Sequence, residues 1–98
     1  MANQASISTD ILARYAADAA KEVEGVRRVV DRPIPGRRGV RVSGKSGAVR
    51  LELHLVAGRD ASLPALGKEV QARVRAYLRS MADVEPASVD VVVDAVER

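Results

Sequence analysis

The chain carries one imidazole, His54, and no cysteine. Nucleophilic catalysis would pair His54 with a hydroxyl such as Ser43 or Ser46 and an orienting acid such as Glu52. Its place in the sequence argues against that chemistry. Val49, Leu51, Leu53 and Leu55 alternate with Arg50, Glu52, His54 and Val56, so His54 reads as a solvated residue on the polar face of a strand. As a metal ligand it has Glu52 two residues away on the same face, which supplies one further ligand only. The missing cysteine excludes a thiolate zinc site, an iron–sulfur cluster and a disulfide framework. The residues therefore predict no catalytic, cofactor or metal site.

Two further patterns have chemical readings. Gly39 to Ser46 fits GxxxxGK[ST], the phosphate-cradling loop. That loop works because a helix N-terminus follows it and points backbone N–H groups at the phosphates. Here Val40 and Val42 alternate with Arg41 and Ser43, and Gly47 leads into a second alternating run, so the segment reads as a hairpin turn. The acidic pairs Asp83/Glu85 and Asp90/Asp94 suggest paired carboxylates. Asp90 and Asp94 share a strand face, and a solvated, charged sheet face accounts for them.

The strongest feature outside the apolar pattern is charge. Residues 27–50 hold eight basic side chains and one acidic, while residues 83–98 hold five acidic and one basic. Arg27, Arg28, Arg32, Arg37, Arg38 and Arg41 crowd a stretch punctuated by Pro33, Pro35, Gly36 and Gly39. Such a stretch suits an acidic protein partner, an anionic membrane surface or nucleic-acid phosphates, and with the acidic C-terminal part it suits self-association. Lys68, Arg75 and Arg79 form a second basic stripe on the outer side of a helix.

These residues need elements to hold them. Residues 9–23 read as an amphipathic helix capped by Ser8 or Thr9 and stopped by Gly25. Val26 to Val30 reads as a short strand, and the pattern allows a further one at Ala5 to Ile7. The hairpin follows, with its turn at residues 44–47. A second helix starts at Ser62 and Pro64 and buries Leu63, Leu66, Val70, Val74, Tyr77, Leu78 and Met81. Val89 to Val96 is a last strand whose phase the run Val91-Val92-Val93 obscures. The fold class is α+β: a two-layer sandwich, two helices on one face of a three- to four-stranded mixed sheet, in a single domain over residues 1–98 with its core at 5–96.

Length and composition agree. With 98 residues, 47% hydrophobic and 30% charged, the chain matches one soluble globular domain. Tyr15 and Tyr77 are the only aromatics, so the core is aliphatic and stacking on several bases or sugars is nearly ruled out. No apolar run reaches the length of a membrane span, and the first residues lack the basic and apolar regions of a signal peptide. The composition fits a cytosolic protein that meets a membrane peripherally or through a partner.

The order of these segments resembles the bacterial alkaline-shock, or envelope stress response, family. The resemblance rests on Ile7-Ser8 opening a helix that closes with Glu22-Val23-Glu24-Gly25-Val26, and on Gly39-Val40-Arg41-Val42 before an alternating strand. It continues through the helix with Pro64 and Val70-Gln71 to Val89-Asp90-Val91-Val92-Val93. Where family members often carry an aromatic–Gly pair after the long strand, this chain has Ala57-Gly58. The resemblance implies a small non-enzymatic cytoplasmic protein at the inner face of the membrane, held there by a membrane-anchored partner, with no cofactor. The expected contact surfaces are the basic stretch and the polar sheet face of Arg50, Glu52, His54 and Val56. The alternative is a basic nucleic-acid-binding α/β module, suggested by the isoelectric point of 9.8.

Overall fold

A computed structural model describes residues 8–30, 39–44 and 48–98. The first helix, α1, spans Thr9–Lys21. Ser8 caps it: the Ile11 amide donates to Ser8 Oγ at 3.2 Å, satisfying one of the backbone N–H groups that a helix start leaves without a partner. Asp10 sits in the first turn and Lys21 in the last, both favourable to the helix dipole. Ala16, Ala19 and Ala20 are fully buried, and their small side chains let α1 lie close to its neighbours. The chain turns away at Gly25, whose φ of +101° is costly for any residue with a Cβ.

Four strands among the described residues form a mixed sheet. They are β1 (Val26–Val29), β2 (Val40–Ser43), β3 (Arg50–Gly58) and β4 (Ser88–Glu97). β3 is central. Along one edge it pairs antiparallel with β1 through Leu55 to Ala57 and with β2 through Arg50 to Leu53. β1 and β2 thus run in line, as two segments of one edge. Along the other edge β3 pairs parallel with β4, from Arg50↔Ser88 to Gly58↔Glu97. A parallel pair needs a long crossover, and the second helix, α2 (Leu63–Ala82), provides it.

The core lies between the sheet and the helices. Leu51, Leu53, Leu55 and Ala57 point from β3 into it, and meet Leu12, Ala16, Leu66, Val70, Val74 and Leu78. Both helices cover this one face, as the alternation requires. Tyr15 and Tyr77 join the helices edge to face, with ring centroids 5.8 Å apart. α2 ends on Asp83 in the left-handed region (φ 55°), where the Asp83 and Val84 amides donate to the Arg79 and Leu78 carbonyls.

The structure departs from the sequence reading in several places. Leu63 and Met81, expected in the buried stripe of α2, are 40% and 50% exposed, because they lie in its first and last turns. Ser62 makes no side-chain capping bond; its carbonyl accepts from Leu66 instead. The phase of β4 resolves with Val89 buried, Val91 and Val93 packed on the core and Val92 facing out. A register shift then places Ala95, not Asp94, beside Val56. The strand suggested at Ala5 to Ile7 and most of the hairpin turn lie outside the described residues.

Candidate functional site

The face of the sheet away from the helices is built by alternation on β3: Arg50, Glu52, His54 and Val56. Register brings neighbours beside each of them. Ser43 and Ser88 flank Arg50; Arg41 and Asp90 flank Glu52; Val92 lies beside His54; Arg28 and Ala95 flank Val56. Neither described helix covers this face.

At its centre His54 is gripped by two carboxylates. Nδ1 lies 2.9 Å from Asp94 Oδ1, and Nε2 lies 2.6 Å from Glu52 Oε2. Both acceptors are carboxylates, so the two contacts favour the protonated ring, in which both nitrogens donate. The hydrogen bond to Asp94, followed by that to Glu52, raises the His54 pKa above its ordinary 6.5, against a smaller opposing effect of burial. The two carboxylates approach opposite edges of the ring and do not converge on one point. Among the described residues, no group of three or more His, Asp or Glu side chains could hold a metal ion.

Asp94 is the residue the sequence reading did not connect to His54. It lies 40 positions away and is brought in by the parallel pairing of β3 and β4, aided by the register shift at Asp94. Of the two hydroxyls that nucleophilic chemistry would have used, Ser43 sits in the row of Arg50, and Ser46 lies outside the described residues. For the phosphate-loop alternative, the residues before and after the pattern's end are antiparallel strands, Val40–Ser43 pairing with Arg50 to Leu53.

Val56, expected on the wet face, is only 3% exposed. It lies between Arg28 on β1 and Ala95 on β4, and Arg28 reaches across to Glu97 on β4 at 2.9 Å.

The described basic residues do not form one patch. Arg28 and Arg41 lie on the open face, in the rows of Val56 and Glu52. Arg27 sits at a register irregularity in β1 and lines a cleft on the other side with Glu24, Arg59, Ser62 and Glu69. Arg32, Arg37 and Arg38 lie outside the described residues. On α2, Lys68 and Arg79 are exposed, and Arg79 lies 3.4 Å from Glu85. Arg75 is half-buried rather than outward, because its guanidinium donates to the Pro86 carbonyl at 2.9 Å and ties α2 to the start of β4. No helix among the described residues is long and apolar enough to cross a membrane.

Solved structures share this architecture. A histidine-to-alanine variant of MamM-CTD aligns with TM-score 0.61 at 17% identity, over 92% of this chain and 100% of that one. An aspartate-to-histidine variant of MamM CTD in a copper form gives the same values. A glutamate-to-aspartate variant in a manganese form gives TM-score 0.59 at 17% identity, over 90% of this chain and 99% of that one. At this identity the likeness is one of fold. No curated protein matches the chain. The model of the alkaline-shock protein family, described by its cell envelope-related function, matches residues 1–98, and the chain belongs to that family.

Proposed function

We infer that the protein serves the cell envelope without catalysing a reaction, by contact between its surfaces and a membrane-anchored protein or a second copy of itself. The observation that carries this reading is the state of His54. Nδ1 is engaged by Asp94 and Nε2 by Glu52, so neither ring nitrogen is turned toward a substrate or a metal ion. What the open face offers instead is an ordered array of charges, which suits recognition. The cytoplasmic side of the membrane is the location this reading implies, because an anionic inner leaflet and a basic stretch attract each other.

The test uses the full chain as bait for detergent-solubilised bacterial membranes, beside flotation with anionic vesicles. The reading expects recovery of an integral membrane protein, with recovery falling when Arg37 and Arg38 are changed to Glu. Vesicle binding without protein recovery would assign the basic stretch to lipid. Failure of both, at low and at physiological salt, overturns the reading. A salt-sensitive shift of nucleic acid in place of either would favour the basic nucleic-acid-binding alternative.

A further inference from the structure

The open face carries charge in rows. One row crosses three strands: Arg41 on β2, Glu52 on β3 and Asp90 on β4 are register partners. It is positive at one edge of the sheet and negative at the other. Most of the other charges on this face are spent within the chain, Arg28 on Glu97 and His54 on Glu52 and Asp94. Arg41 and Asp90 make no ion pair among the described residues, and both are exposed.

A row with opposite ends is self-complementary under one symmetry only. Two copies can meet face to face about a two-fold axis that runs along β3 or about one that runs across the strands. Along β3, the axis turns the β2 edge of one copy onto the β4 edge of the other, at the same level of the strand. Arg41 of each copy then meets Asp90 of the other, twice by symmetry. Across the strands, the axis would set Arg41 against Arg41 and Asp90 against Asp90, which like-charge repulsion disfavours. Sheets stacked face to face lie about 10 Å apart, within the joint reach of an arginine and an aspartate. This axis also sets β3 against β3: Glu52 and His54 of each copy meet as a pair already bonded to each other, and the rotation of about 30° between stacked sheets moves the two Arg50 side chains apart. Val92, 39% exposed beside His54, gives the centre of the face some apolar surface.

We propose that the open sheet face is an isologous interface with a second copy of this chain, held by reciprocal Arg41–Asp90 pairs about an axis along β3. This rests on the surface-contact reading above and names the partner of that face.

Sedimentation equilibrium of the full chain at about 50 and about 500 mM salt tests it. The wild type is expected to be a dimer that weakens at the higher salt. Arg41→Asp alone and Asp90→Arg alone are each expected to dimerise at least about tenfold more weakly. An equimolar mixture of these two variants restores both pairs, so it is expected to form a heterodimer near wild-type strength. Circular dichroism melts confirm that each variant folds; should Arg41→Asp not fold, Arg41→Gln and Asp90→Asn take the place of the single reversals. A monomeric wild type overturns the proposal, and so do single variants that dimerise like wild type or a mixture no stronger than its components. If a monomeric wild type still recovers a membrane protein, the surface-contact reading survives and the second copy is eliminated. If a dimer forms as described but recovers nothing, the second copy stands and the membrane-anchored partner falls.

Discussion

At the scale of single residues, the bonds of His54 tie protonation to folding. The folded pKa is raised above 6.5 by Asp94 first and Glu52 second. A group raised in this way contributes stability that is fully present below its unfolded pKa and is lost as pH climbs through its folded pKa. Glu52 and Asp94 face the ring directly, Arg41 and Asp90 occupy the next row, and Val92 lies alongside. His54→Gln removes the titration while keeping a polar side chain on the face. Urea midpoints for the two proteins are expected to differ most at pH about 6 and to converge as pH rises past the folded value. Parallel pH profiles would show that the two carboxylates do not hold the proton. His54 and Glu52 were legible as neighbours because a period of two needs only local sequence. Asp94 was not, because the pairing register of a distant parallel strand is fixed by tertiary packing.

Elements show the same division. Helix limits were readable from Ser8, Gly25 and Pro64, since caps and breakers act over a few residues. That β1 and β2 share one edge of β3 was not readable, although Gly39 holds the trace of it. Val30 donates to the His54 carbonyl at 2.8 Å and the His54 amide donates to the Gly39 carbonyl at 2.7 Å, so two residues face one. A Cβ at Gly39 would overlap the Val30 carbonyl oxygen, which makes this a close-approach glycine. Gly39→Ala is therefore expected to destabilise the fold by about 1–3 kcal/mol, the range for overpacking a filled site. Gly67 inside α2 is the contrast, because nothing lies within 4 Å of a Cβ built there. Gly67→Ala is expected to stabilise by roughly 0.5–1 kcal/mol through the lost backbone freedom of the unfolded chain. Urea unfolding of both variants measures the contrast, and equal destabilisation by the two changes would refute the close-approach account.

For the whole molecule, the question is whether the basic stretch shapes the fold or only decorates it. Val30 and Gly39 both bond to the backbone of one residue, His54, so the chain on either side of residues 31–38 is already held in place by β3. The described residues by themselves form a continuous apolar core between helices and sheet. Replacing residues 31–38 with two glycines removes Arg32, Arg37, Arg38 and Asp31, three positive charges and one negative, and lowers the net charge from +3 to +1. Loop closure depends only weakly on length, about 0.6 kcal/mol per doubling, so the shortened connection carries little entropic cost. The melting temperature is accordingly expected to stay within a few degrees of wild type, as surface changes usually leave it. Recovery of the membrane protein is expected to fall sharply, and the Arg41–Asp90 dimer to persist, since neither residue lies in the excised part. Loss of the fold would make the stretch structural, and undiminished recovery would move the partner contact onto the open sheet face or α2. The three readouts are expected to move separately: the melting temperature with the aliphatic core, partner recovery with the excised arginines, and dimerisation with the row of Arg41, Glu52 and Asp90.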